Sequence, residues 1–334
     1  MNGVEHAEEH PDERLHRSVV ALGGGHGLAA TLMALRRVVD DVTAVVTVAD
    51  NGGSSGRLRE EFGVLPPGDL RMALAALCGD DDWGQTWARV LQHRFAGHGD
   101  MQGHAVGNLL IVALWELLGE HVEGLELVAR LLGASGRVLP MAITPMDITA
   151  RVRGADPDHP ERVDLVRGQV QVATTEGHLV GIHLDPVDPV ACPEAVAAVR
   201  SADWVVLGPG SWYTSVIPHL MVPELRRALV ETDARVLVVL NLAEQAGETS
   251  GYAAEDHLAA LFEHAPDLRV HTVLADPSTV PDSAELKGAV ASSGAELVLA
   301  DVAAADGSPR HDPARLARAC AEIMRGVTGS APWR

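Results

Sequence analysis

Thr43-Ala-Val-Val-Thr-Val-Ala-Asp-Asn-Gly-Gly-Ser-Ser-Gly-Arg57 is the stretch that decides the fold. An apolar, β-branched run ends in a carboxylate, and glycines, serines and an arginine follow at once. That order describes a strand whose carboxyl end enters a loop able to turn backbone N–H groups toward an oxyanion. A second unit of the same kind lies upstream, where Ser18-Val-Val-Ala-Leu22 runs into Gly23-Gly-Gly-His-Gly27. The pair predicts an α/β fold with an open, mainly parallel sheet and helices on both faces. A phosphate-bearing ligand is expected at the strand ends.

The rest of the chain keeps that rhythm. Leu28, Leu32, Leu35 and Val39 recur at helical spacing directly after the first glycine loop. Val42 to Val48 reads as the second strand. Pro66-Pro67-Gly68 stiffens the chain, and Asp69 is placed to cap a helix through Leu77. Helices are predicted around Trp83 to Leu91 and Leu125 to Leu132. His104 to Leu118, apolar nearly all round, reads as a buried helix. Near Val138 the pattern begins to alternate, as in Gln169-Val-Gln-Val-Ala173, with Thr175-Glu-Gly-His178 as a hairpin turn. This is expected to be a small antiparallel insertion around 138–186, serving as a lid or dimer surface. Strands then resume near Trp204, Arg235, Val270 and Leu297, with helices between them. The expected organisation is a disordered acidic, His-rich tail over 1–17 and one α/β domain over 18–330.

Composition bounds the function. The chain has 334 residues, 47% of them hydrophobic, enough for a large core. A net charge of −20 repels nucleic acid and anionic membrane surfaces, so neither is an expected partner. A phosphate ligand remains compatible, because local amides and arginines act at short range. Cys78, Cys192 and Cys320 are far apart and form no C-x-x-C, which points to a reducing compartment rather than a disulfide framework or zinc site. The first seventeen residues lack the apolar core of a secretory signal. A cytoplasmic location is expected, with no membrane insertion.

The candidate ligand residues fall at predicted strand ends. Gly24, Gly25, His26 and Gly27 form a tight turn into a helix N-terminus, but the spacing is neither the dinucleotide fingerprint nor a Walker loop. Asp50, Asn51, Gly52, Gly53, Ser54 and Ser55 offer a carboxylate, amides and hydroxyls, and Arg57 and Arg59 two guanidinium forks for phosphate. Asp69 and Arg71 stand behind two stiffening prolines; for Asp69, helix capping competes about evenly with ligand contact. His104 and Asn108, four apart on a helix, share one face; a polar pair bonded within the core is the competing reading. Gly208, Gly210, Ser211, Tyr213 and Thr214 follow another strand, and Asn241 ends the next one. Gly247-Glu-Thr-Ser-Gly251 reads as an ordinary capping segment. No metal site, nucleophilic triad or other catalytic residue is identified, so any chemistry is phosphoryl-group handling by positioning and charge.

In order along the chain, these segments resemble the CofD-like family, in its YvcK-type branch of gluconeogenesis factors. The matching segments are Gly-Gly-Gly-His-Gly-Leu28, Val-Thr-Val-Ala-Asp-Asn-Gly-Gly-Ser-Ser-Gly-Arg-Leu-Arg59, Leu-Pro-Pro-Gly-Asp-Leu-Arg71, Gly-His-Ala-Val-Gly-Asn108, Leu-Gly-Pro-Gly-Ser-Trp-Tyr-Thr-Ser215 and Gly-Glu-Thr-Ser-Gly-Tyr252. The resemblance implies a single Rossmann-like domain and a cytoplasmic regulator, needed for growth and cell shape on gluconeogenic carbon sources. Its implied ligand is a nucleotide sugar such as UDP-N-acetylglucosamine or UDP-glucose, and a homo-oligomer is its expected state. The enzyme branch of the family transfers a phospholactyl group to a deazaflavin precursor using magnesium; that reading is the alternative, and Mg2+ would be its cofactor. The family usually has Thr where His26 stands, an acid where Asn51 stands and Asn where Met72 stands. An amide in place of that acid weighs against catalysis more than against sugar-nucleotide binding. A dinucleotide oxidoreductase is a third reading, disfavoured by the missing fingerprint glycine.

Overall fold

Val19 to Leu22 is wholly apolar, and the strand built on it lies inside the sheet with a parallel neighbour on each side. The computed structural model describes residues 14–326, apart from 157, 246, 281 and 282. Its strands are β1 (Leu15–Gly23), β2 (Val39–Val46), β3 (Arg137–Pro140), β4 (Asp147–Arg153), β5 (Val163–Arg167), β6 (His178–Asp185), β7 (Trp204–Leu207), β8 (Arg235–Val239), β9 (Thr272–Ala275) and β10 (Glu296–Leu299). Seven of them form one sheet in the order β10-β9-β8-β7-β1-β2-β3. Every neighbouring pair in it is parallel. Leaving out β4–β6, this is the doubly wound order 3-2-1-4-5-6 with one strand added.

The early helices are α1 (Gly25–Val38), α2 (Gly53–Phe62), α3 (Gly68–Leu77), α4 (Asp82–Gln92), α5 (Val106–Leu118) and α6 (His121–Leu132). The later ones are α7 (Gln169–Ala173), α8 (Pro193–Ser201), α9 (Ile217–Met221), α10 (Pro223–Glu231), α11 (Ala254–His264), α12 (Ser283–Ser293) and α13 (Pro313–Gly326). A π turn, Trp212–Val216, leads into α9. α1 packs on α3 and α13, whereas α8 packs on α10 and α11 on α12. Right-handed crossovers leaving the sheet centre in opposite directions demand such a split between two faces. Strands covered on both sides must be apolar throughout, as Val205, Val206, Leu207, Leu237 and Val238 are.

Several expectations shift. β1 opens at Leu15, inside the stretch expected to be tail; residues 1–13 of that stretch lie outside the described residues. β2 runs from Val39 to Val46, earlier than expected, because β1 pairs with it from Leu15. Arg137–Pro140 is the edge of the main sheet, so the insertion proper is β5-β4-β6, an antiparallel sheet. Gln169–Ala173 is a helix and not a strand, despite its alternation. The turn at Thr175–His178 therefore links α7 to β6 rather than closing a hairpin. α5 is amphipathic: Ile111, Val112 and Trp115 are buried while Leu117 is 76% exposed. Asp69 lies within the first turn of α3, and the cap position belongs to Pro67. Among the described residues, no helix is long and apolar enough to cross a membrane.

Candidate ligand site at the strand ends

β1 is the switch point of the sheet: the chain leaves it toward β2 on one side and returns at β7 on the other. In such sheets the crevice beyond the carboxyl ends of these strands is the ligand position. Here the two glycine loops meet. A Cβ on Gly27 would lie 2.2 Å from the Pro209 carbonyl oxygen, so only glycine lets α1 start this close to the loop after β7. Thr31 Oγ1 donates to the Gly208 carbonyl at 3.3 Å. Asn241, at the end of β8, accepts from Gly210 N at 2.8 Å and donates to its carbonyl at 2.9 Å, fixing that loop from the other side. Beside it opens a cleft of about 430 Å³ lined by His26, Gly27, Gly210, Asn241, Arg310 and His311. Arg310 and His311 have no counterpart in the sequence reading; they stand far along the chain in no motif.

The other wall is built from β2, α2 and α3. Asp50 accepts from Gly52 N at 2.8 Å, the short turn that an aspartate makes on its own backbone. A Cβ on Gly68 would meet Ser55 Oγ at 2.3 Å and Asp50 Oδ2 at 3.1 Å, and one on Gly24 would meet Asp69 Oδ2 at 2.6 Å. Asp50, Ser55 and Asp69 are therefore drawn together against the first glycine loop. Asp69 keeps a little surface while protein encloses its other sides. That enclosure pushes its carboxyl up to about 7; the charge of Asp50 adds to the rise, and an N–H from Gly25 opposes it.

Ser54, His104 and Asn108 form a buried network. The Ser54 hydroxyl accepts from Asn108 Nδ2 at 3.0 Å and from Ala105 N at 3.4 Å. Its own proton is then left for His104 Nδ1, at 3.1 Å, which places the imidazole proton on Nε2. Burial, and secondarily the Arg57 charge, holds His104 below the ordinary histidine range. Asn108 Oδ1 has no hydrogen-bond partner among the described residues. Nor do Nε and Nη1 of Arg71, which is 3% exposed. Burial, then the charge of Arg94, lowers Arg71 to about 10, so it still carries its charge at neutral pH. Arg36 Nε, Trp212 Nε1 and Arg235 Nε are likewise buried without a partner among the described residues; what sets Arg71 apart is its place at the strand-end crevice.

The remaining polar residues of this loop are engaged elsewhere. Arg57 donates from Nη1 to the Asp100 carbonyl at 3.0 Å and from Nη2 to that of Gln102 at 2.6 Å. Arg59 pairs with Asp147 of the insertion at 2.7 Å. Asn51 spans to α7, donating to Gln171 Oε1 at 2.8 Å and accepting from Val170 N at 3.1 Å. Gly53 starts α2 in the left-handed region, with a φ of +50°. Past β7, the Ser211 and Thr214 hydroxyls both donate to Glu248, and Tyr213 N donates to the same carboxylate at 3.0 Å. Glu248, 4% exposed, was hidden in a segment that reads as an ordinary cap; it holds the whole Ser211–Thr214 turn.

Fold and site together define a doubly wound α/β protein whose crevice at the topological switch point brings together two glycine loops, two carboxylates and a buried arginine. Residues 19–311 match the family model described as 2-phospho-L-lactate transferase CofD, and the chain belongs to that family. It is 52% identical over 302 residues to a Mycobacterium tuberculosis (strain H37Rv) protein provisionally named a gluconeogenesis factor, covering 90% of this chain and 88% of that one. It is 35% identical over 287 residues to the gluconeogenesis factor of Halalkalibacterium halodurans, covering 85% and 84%. A crystal structure of a Bacillus halodurans protein superposes with a TM-score of 0.80 at 32% identity, covering 91% of this chain and 99% of that one.

Proposed function

We propose that this chain is a regulator of the gluconeogenesis-factor type that binds a nucleotide sugar, UDP-N-acetylglucosamine or UDP-glucose, at the strand-end crevice. The observation that carries the reading is Arg71, a buried charged guanidinium with two nitrogens unpartnered, beside the Asp50–Asp69 wall. A diphosphate would satisfy it, and the partnerless Asn108 Oδ1 and the carboxylate of Asp50 would select hydroxyl or base-edge donors. The names carried by the relatives support the regulatory role. That role is cytoplasmic and supports growth and cell shape on gluconeogenic carbon sources, with the protein acting as a homo-oligomer. The test is calorimetry with both UDP-sugars. Saturable binding by the wild type, lost in Arg71→Ala, is expected; absence of heat and of any melting shift from either ligand would overturn the reading.

The Asp50–Asp69 pair favours one second reading, a phospholactyl transferase. Two carboxylates and the Ser55 hydroxyl suit magnesium, which takes one or two carboxylates together with substrate phosphates. Such an ion would supply neutralisation of phosphate charge. Against it, Asn51 brings an amide spent on α7 where the family usually has an acid. The two readings separate on product formation from a phospholactyl donor and the deazaflavin acceptor, and on proton release near pH 7 when magnesium is added. Product above background moves the chain to the enzyme branch.

A further inference from the structure

The insertion sheet carries a cationic face on a chain whose net charge is −20. Residues directly opposite in an antiparallel pair share a face. Arg151 stands opposite Gly181, Arg153 opposite His178 and Thr149 opposite His183, so the arginines and both histidines project from one side. The other arginines of the insertion are each neutralised by two aspartates, Arg162 by Asp156 and Asp164, Arg167 by Asp147 and Asp185. Arg151 and Arg153 have no such partner among the described residues.

They line a cleft of about 620 Å³ between the insertion sheet and α11, within the range of small-molecule sites. Its aromatic wall is Tyr213 and Tyr252, whose hydroxyls lie 2.7 Å apart. Two hydroxyls sharing one hydrogen bond leave one O–H proton to donate elsewhere. Burial pushes Tyr213 up, so it stays protonated. The cleft's one lining carboxylate is Glu263.

We propose that this cleft is a second anion site that takes a phosphorylated small molecule, with Arg151 and Arg153 gripping the phosphate oxygens and the tyrosine pair donating its spare proton. Guanidinium forks match phosphate oxygens, and alternate positions on one strand set the two forks roughly 7 Å apart at the backbone. The site is joined to the strand-end crevice: Gly210 lines the first cleft and Tyr213, three residues on, lines the second. Glu248 clamps the turn that joins them. An occupant here therefore bears on the loop that Asn241 holds at the crevice.

The experiment titrates inorganic pyrophosphate into the wild type, into the double variant Arg151→Gln with Arg153→Gln, and into Arg71→Ala. Both arginines are exposed, so the double variant keeps its core. Pyrophosphate binding at least tenfold weaker in the double variant, for a class of sites that Arg71→Ala retains, is the expected result. Tyr252→Phe should weaken the same class severalfold. Titration of the double variant indistinguishable from wild type, or loss of all binding in Arg71→Ala alone, overturns the second site. Binding of polyglutamate in place of pyrophosphate, abolished by the same double variant, overturns the small-molecule assignment in favour of an acidic peptide. Failure of UDP-sugar binding at the crevice leaves this outcome intact, because the double variant does not touch Arg71.

Discussion

Arg57 and Arg71 stand fourteen residues apart and have opposite fates. Arg57, the more conspicuous in the sequence, gives both terminal nitrogens to backbone carbonyls of the 94–104 loop. Arg71 points unpartnered nitrogens into a buried space. Arg71→Ala should therefore cost UDP-sugar affinity about 1.5–3 kcal/mol, the range of a charged hydrogen bond, with little change in Tm. Arg57→Ala should loosen the 94–104 loop instead, seen as faster amide exchange there. Calorimetry beside exchange separates the two, and affinity loss in Arg57→Ala alone would reverse the assignment. Asp69 gives a pH signature. Its folded carboxyl titrates near 7, above its ordinary 3.8, so the native state holds the proton more tightly. The linked stability is fully present below about pH 4, falls as pH rises, and is gone above 7. Unfolding free energies of wild type and Asp69→Asn should diverge over that window by up to ~4 kcal/mol, less whatever solvent at the crevice screens. Parallel curves would remove the perturbation.

At the scale of elements, the insertion is fastened to the crevice by α7. Asn51 holds Gln171 and Val170, Gln169 Nε2 donates to the Thr214 carbonyl at 3.0 Å, and Arg59 holds Asp147. Asn51→Ala should raise amide exchange over residues 168–174 by about tenfold while β1 and β8 keep their protection. Uniform acceleration would mean the latch supports the whole fold. These contacts also explain what the sequence could and could not say. Six of the seven parallel strands were legible because each contains a short apolar run, a pattern set by packing in the sheet, whereas β3 was read into the insertion. α7 was not legible, since Gln169-Val-Gln-Val-Ala173 alternates like a strand and is helical only beside Asn51 and Thr214. α5 misled for a related reason: its apolar residues outnumber those the core covers, leaving Leu117 outside. The site residues were found as residue types at strand ends. Which of them face open space was not legible, because Asp147, Gln171 and the Asp100 carbonyl that capture Arg59, Asn51 and Arg57 are distant in sequence. Glu248 was missed for the same reason.

Across the whole molecule the charge is the dominant long-range term. A net −20 repels itself in the compact state, and added salt screens that repulsion. Raising NaCl from about 20 mM to about 300 mM should lift Tm by several degrees, with most of the gain below the concentration at which the Debye length falls to about 8 Å. A Tm that falls with salt would mean that the native ion pairs outweigh the global repulsion.

Val19 pairs with Trp204, 185 residues further along the chain, so β1 leaves the ribosome well before β7. At roughly 5–20 residues per second, the emerging chain waits about 10–40 s between the two strands. Through that interval one edge of β1 has no native neighbour, and half of the crevice does not exist. Ribosome-tethered chains ending before Trp204 should be protease-sensitive across β1 and β2 and retain no UDP-sugar. Chains carried past Glu248, with both glycine loops and their clamp present, should gain protection and binding together. If the nucleotide-sugar reading holds, binding is thus expected to begin only after the segment that clamps the second glycine loop has been made.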